Sequence, residues 1–270
     1  MTWLWAALAP HPPILVPAVG QGREKAAVHS LAGTKRLTEK ISARPNGGRP
    51  DLLLILSPHQ PYVPGALFLN TAKTLSGGLK RFGAPQAHFT LTTDQEAAAA
   101  LADHLAQAGL PVAPAAEPDL TPDHATVVPL QLLAPALPEP PPVLVANPIG
   151  LTPALALALG QSLAAFQRPG QTAALLASGD LSHRLRPDAP AGYHPDGAAF
   201  DHGLMEALAT GTAENFLAQW PPHRLEQIGE CGYRSALALA GLAGGPLETL
   251  SYEGPFGVGY GLAWWSPEED

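Results

Sequence analysis

Four histidines stand at the ends of apolar runs, in short turns built from Pro, Ser, Gly and Asp. They read Ala-Pro-His11-Pro-Pro, Leu-Ser-Pro-His59-Gln, Pro-Asp-His124-Ala-Thr and Ser-Gly-Asp180-Leu-Ser-His183, and a later turn reads Gly-Glu230-Cys231-Gly. Neutral imidazole is a ligand for Fe, Zn, Cu and Ni, and two histidines with one carboxylate on a single face leave coordination positions open for reactants. His11, His59 and Glu230 could supply that set. The same three ligands also suit a hydrolytic zinc site that keeps a position for water, so ligand count alone does not select the metal. His183 and His124 then stand beside the ion as acid–base and supporting groups.

Each residue also has a plainer reading. A histidine after a proline can be a turn residue whose ring bonds a nearby carbonyl. Asp123 and Asp180 suit helix caps or turns, Glu230 suits the first turn of a helix, where the dipole favours negative charge, and Cys231 suits a small buried apolar position. His29, His88, His104, His194, His202 and His223 lie in helical or loop stretches without comparable context and read as surface or structural residues.

Strands and helices must bring these turns together. Leu4 to Leu8 reads as a first strand, broken at Ala9-Pro10-His11 because proline removes a ladder donor. Asp51 to Leu56 is a continuous apolar run, the mark of a strand buried on both faces, and it delivers Ser57-Pro58-His59 to the sheet rim. Val143 to Ala146 and Thr172 to Ala177 read as further strands, the second feeding Ser178-Gly179-Asp180. Helical spacing covers Glu24 to Ile41, and Thr93 with Glu96 forms a capping box before a helix to Gln107 that Gly109 stops. Asp123 suits the cap of a short helix over Val127 to Leu133. Thr152 and Pro153 open a helix to Phe166. After a Pro- and Gly-rich loop from Arg184 to Pro195, helices are expected near Gly197 to Ala209, Ala213 to Trp220 and Tyr233 to Ala243, and Leu247 to Trp265 alternates as one or two antiparallel strands. Strands alternating with helices predict an α/β fold, a single domain over residues 1–270 with a central mixed, largely parallel sheet flanked by helices.

Composition narrows the function. Of 270 residues, 46% are hydrophobic and 14% charged, which suits a soluble globular protein rather than a disordered one. The net charge is -8 with only 15 Lys plus Arg, so no basic stripe could neutralise nucleic-acid phosphates. One cysteine cannot form an internal disulfide, and the N-terminus lacks the features of a secretory signal, so a cytoplasmic location is expected. The apolar stretch Trp3 to Val19 is interrupted by Pro10, Pro12, Pro13 and Pro17 well short of the roughly 20 residues that span a bilayer, so no membrane association is expected.

The segments Ala-Leu-Ala-Pro-His11-Pro-Pro-Ile-Leu-Val-Pro, Leu-Ser-Pro-His59, Asp123-His124-Ala-Thr-Val-Val-Pro-Leu, Ser178-Gly-Asp-Leu-Ser-His183 and Glu230-Cys-Gly-Tyr-Arg-Ser resemble, in order and across nearly the whole chain, the catalytic subunit of class III extradiol ring-cleaving dioxygenases. The Cys231-Gly-Tyr-Arg-Ser and Tyr252-Glu-Gly-Pro-Phe-Gly-Val-Gly-Tyr segments are similar to its Memo-like branch, whose members share the fold without an established common reaction. The resemblance implies a non-heme Fe(II) site in which His11 and His59 match the histidine ligands and Glu230 the carboxylate. It matches His183 to the general base and His124 to a histidine that polarises bound substrate or oxygen. Cys231 is the alternative third ligand, as in Memo-like relatives. Adjacent side chains at a helix start point roughly 100° apart, so Glu230 and Cys231 are not expected to bind one ion together, and a carboxylate with two imidazoles suits Fe(II) better than a thiolate does. The implied reactants are a catechol-type aromatic and O2. Zn(II) or another divalent metal, a hydrolase on the same ligands, and a Memo-like metal- or peptide-binding protein without dioxygenase activity remain as alternatives, and a homodimer is left open.

Overall fold

The apolar runs become strands of an eight-stranded sheet in the computed structural model of the chain, which describes residues 1–119 and 123–267. The first half comprises β1 (Thr2–Ala9), α1 (Pro17–Gly20), α2 (Val28–Ser42), β2 (Leu52–Leu56), β3 (Leu67–Asn70), β4 (Thr74–Leu79), β5 (Ala84–Thr92) and α3 (Gln95–Gln107). There follow β6 (Val112–Ala115), α4 (His124–Leu133), β7 (Val143–Asn147), α5 (Pro153–Ala165) and β8 (Thr172–Ser178). The chain then forms α6 (Asp196–Thr210), α7 (Ala213–Gln219), α8 (Pro222–Ile228), α9 (Tyr233–Ala243), β9 (Glu248–Glu253) and β10 (Tyr260–Trp265).

The strand order is β6-β3-β7-β2-β8-β1-β10-β9, and β4 and β5 form a separate hairpin. The four central strands, β7-β2-β8-β1, are mutually parallel. β3 joins β7 antiparallel, and β10 and β9 continue antiparallel beyond β1, so the sheet is mixed with a parallel centre. Strand β2 shows why it sits in the middle. Leu52, Leu54 and Leu56 point into one apolar layer with residues of α3, α5, α6 and α9, whereas Leu53 and Ile55 point into the other with Leu37 and Ile41 of α2 and Leu130 and Leu133 of α4. A run apolar at every position fits only a strand covered on both faces, and each fully buried leucine contributes about 1.5–3 kcal/mol. None of the described helices is long and apolar enough to cross a membrane.

Some details differ from the sequence expectation. Asp94, not Thr93, caps α3, accepting the Ala97 N–H at 2.8 Å; Thr93 is buried instead, in a bridge to Val143. The helix expected from Glu24 is a short 3-10 turn over Arg23–Ala26 followed by α2. Helix α4 starts at His124, three residues earlier than expected, and α8 and the strands β3 to β6 had no sequence expectation. β4 carries two glycines and β5 and β6 each a proline, residues that depress any strand signal.

Candidate metal centre

Parallel strands place their carboxyl ends on one rim, where open α/β sheets hold ligands. β8 lies between β1 and β2, so the turns after all three strands meet. His11 follows β1 and is buried; its backbone N–H donates to Asp180 Oδ1 at 2.9 Å, and its Nδ1 is 3.0 Å from Ser178 Oγ, the last residue of β8. His59 follows β2 in a turn where its own N–H donates to Ser57 Oγ at 3.3 Å. His124 is the first residue of α4.

One buried carboxylate locks the last two together. Asp123 caps α4, its Oδ1 accepting from the Thr126 N–H at 3.0 Å and the Ser57 hydroxyl at 2.6 Å. Its Oδ2 accepts from Gln60 Nε2 and the Thr126 hydroxyl, both at 2.6 Å. Asn70 of β3 in turn donates to Gln60 Oε1 at 2.7 Å. The cap reading of Asp123 is therefore right, and the cap also ties the His59 turn to the helix that presents His124.

The three rings converge. Ring centroids lie 5.0 Å apart for His11 and His59, 5.4 Å for His11 and His124, and 4.4 Å for His59 and His124. One nitrogen from each falls within 4.8 Å of the other two. Burial, followed by repulsion from His59, His124 and His183, holds His11 well below the usual imidazole pKa. Burial also lowers His59, a shift opposed by Asp123 and assisted by Arg81 and His183. Both rings are thus neutral at pH 7 with lone pairs available. Three imidazoles around one point, with His11 and His59 held neutral, fit a divalent ion.

The turn carrying Glu230 and Cys231 is placed differently from the sequence expectation. Glu230 does not join the histidines. Its side chain, 4% exposed, accepts the Tyr233 N–H at 2.7 Å on Oε2 and pairs with Arg234 at 3.4 Å on Oε1, so from the turn before α9 it works as an acceptor for the first N–H of that helix. The Cys231 thiol faces the cluster, with Sγ 3.6 Å from His11 Nε2. Burial, and then the nearby Asp180, raises this thiol well above its ordinary pKa. The turn reaches the site because Gly232 crosses Gly179 with no room for a side chain: a Cβ on Gly232 would come within 2.7 Å of the Gly179 backbone. The Asp180 carbonyl then accepts the N–H groups of Cys231 and Gly232 at 3.2 and 2.8 Å.

Asp180 is the group sequence reasoning undervalued. Its Oδ2 lies 3.8 Å from His11 Nε2, and burial, only partly offset by the His11 N–H, raises its pKa to about 7. A Gly-Asp turn after an apolar strand signals such a rim carboxylate, but the same dipeptide serves any turn. His183 stands near enough to depress the pKa of His11 and His59. Its own pKa is lowered by burial, against the carbonyls of Gly229 and Leu181. Phe82 meets His124 edge-on at 5.4 Å, with Arg81 beside it, its guanidinium 3.3 Å from His124 Nδ1. Among the described residues, no group other than His11, His59 and His124 gathers three ligands close enough for one ion.

A family model described as the catalytic LigB subunit of aromatic ring-opening dioxygenase matches residues 5–263. Over 266 residues the chain is 33% identical to Protein CA_C1420 of Clostridium acetobutylicum, an alignment covering 94% of this chain and 56% of that protein. The chain thus spans about half the length of the curated relative it matches. The crystal structure of an uncharacterized protein, JW3007, from Escherichia coli K12 aligns with a TM-score of 0.61 at 17% identity, covering 97% of this chain and 99% of that one. This last likeness concerns the fold alone.

Proposed function

Because the chain belongs to the family of catalytic LigB subunits of aromatic ring-opening dioxygenases, we propose that it is a non-heme Fe(II)-dependent extradiol dioxygenase acting on a catechol-type aromatic. The observation that carries this reading is the meeting of His11, His59 and His124 within 4.8 Å at the carboxyl ends of parallel strands. These three residues would hold the ion, with the Cys231 thiol and the Asp180 carboxylate beside His11 Nε2. The chemistry such an ion supplies when bound is polarisation of the catechol oxygens and activation of O2.

The protein's own residues then orient the substrate and move its protons. His183, neutral at pH 7 because burial lowers its pKa, accepts a catechol hydroxyl proton and returns one as the ring opens beside the two hydroxyls. Phe82 offers an apolar edge against which an aromatic ring can lie. Anaerobic loading with Fe(II) or Zn(II), followed by a screen of catechols for a yellow ring-opened product, tests the reading. Product with Fe(II) and none with Zn(II) supports it; no product with either metal across the screen refutes it.

A second reading draws on the Cys231 thiol, which stands by His11 where the first would favour a carboxylate. On that reading the site binds a softer or more tightly held ion without opening a ring, as suits a Memo-like relative. A tightly bound metal with no turnover would favour it.

A further inference from the structure

Proline 129 lies inside α4, where it removes the amide that would bond the carbonyl four residues back. That carbonyl belongs to Ala125, one residue after His124, and it accepts the Ser178 hydroxyl at 2.6 Å instead. Ser178 is fully buried, and its oxygen is also 3.0 Å from His11 Nδ1.

Proton counting decides the direction of both bonds. A hydroxyl has one proton, and a carbonyl oxygen can only accept. The Ser178 proton therefore goes to Ala125, and the bond with His11 requires that Nδ1 carry a proton and donate it. An unprotonated Nδ1 would set two lone pairs against each other at 3.0 Å in a buried position, an arrangement that buried polar groups avoid. With Nδ1 protonated and the ring neutral, the lone pair sits on Nε2, the nitrogen that faces Cys231 and Asp180.

We propose that Ser178 is a positioning residue that fixes His11 as the Nδ1–H tautomer through the relay His11 Nδ1–H to Ser178 Oγ–H to the Ala125 carbonyl, so that Nε2 is offered to a metal ion. The inference rests on the metal reading for its purpose but not for its geometry. The relay also joins three elements: the turn after β1, the end of β8 and the first turn of α4, which begins at His124. The position of His11 is thereby coupled to that of a second ligand. Sequence supplies its origin, because only a residue without an N–H at position 129 withdraws the helical partner of that carbonyl.

The test reads the tautomer directly. Metal-free protein labelled with 15N-histidine is examined by long-range 1H–15N correlation at pH 8, with His11 assigned by its loss in His11→Gln. The parent should show His11 protonated at Nδ1 and bare at Nε2. Ser178→Ala should show a mixture of tautomers and bind Co(II) or Zn(II) roughly 10–100-fold more weakly, the usual effect of removing a group that orients a ligand. A parent whose His11 carries its proton on Nε2 overturns the assignment, even if no Ser178 variant folds. A folded Ser178→Ala protein with the parental tautomer, or with the parental affinity, overturns the positioning role. Because the tautomer is read without metal, a parent that binds no divalent ion defeats the metal reading alone.

Discussion

Cys231 Sγ lies 3.6 Å from His11 Nε2 although 220 positions separate the two residues in the chain. The contact exists because Gly179 and Gly232 cross without side chains, so the turn before α9 rides directly over the end of β8. Either glycine replaced by alanine would put a methyl group into the facing backbone and push the thiol away from the imidazole.

Burial and the Asp180 carboxylate keep that thiol protonated. In metal-free protein at pH 8, Cys231 should react with iodoacetamide much more slowly than free cysteine, since a raised thiol pKa and burial both deplete the accessible thiolate. Alkylation timed by mass spectrometry checks this; reaction at the rate of free cysteine would contradict it.

His183→Ala should retain its metal and lose ring cleavage by about 10²–10⁴-fold, the range for removal of a general base. Metal content and turnover measured on the same preparation separate the two effects. Equal activity in variant and parent would remove His183 from the reaction.

Glu230→Ala should act on stability. It strips the Tyr233 N–H and Arg234 of a buried acceptor, at about 1–3 kcal/mol. Urea denaturation of the metal-free protein reads this loss, and an unchanged midpoint would contradict the role.

Asp201, outside the His11–His59–His124 group, provides a pH signature. It is fully buried, accepting from the Ser182 N–H at 2.8 Å and the Tyr252 hydroxyl at 2.9 Å. Burial raises its pKa to about 7, more than those hydrogen bonds lower it. The unfolded chain releases this proton near pH 4 while the folded chain keeps it to about pH 7, so this group's contribution to stability falls as pH rises between those values and is flat above them. The slope is about 1.4 kcal/mol per pH unit at most. Asp201→Asn, which cannot ionise, should therefore gain in melting temperature relative to the parent from pH 5 to pH 8. A difference that stays constant across that range would contradict the assignment.

The parallel centre of the sheet was legible in the sequence because β2, β7 and β8 are covered on both faces and read as unbroken apolar runs. The hairpin β4–β5 and the short strands β3 and β6 were not, since glycine, proline and short length leave no periodicity to read. All four motif histidines were legible as site candidates, and three of them meet. The Glu230–Cys231 pair was not resolvable, because a carboxylate opening a helix and a carboxylate binding metal look identical in sequence. Which of the two side chains faces the histidines depends on the Gly179–Gly232 crossing, a contact between distant segments. Ser178 and Asp180 were visible only as turn residues, and the proline at position 129 carried a signal whose meaning depends on what lies beside the carbonyl it leaves unbonded by the helix.

Metal analysis of protein purified without oxygen bears on the proposed centre most directly. The parent should carry one divalent ion per chain, His124→Ala should lose it, and Glu230→Ala should keep it. A parent that takes up no ion, or an ion that survives His124→Ala and vanishes in Glu230→Ala, would contradict a site built on His11, His59 and His124.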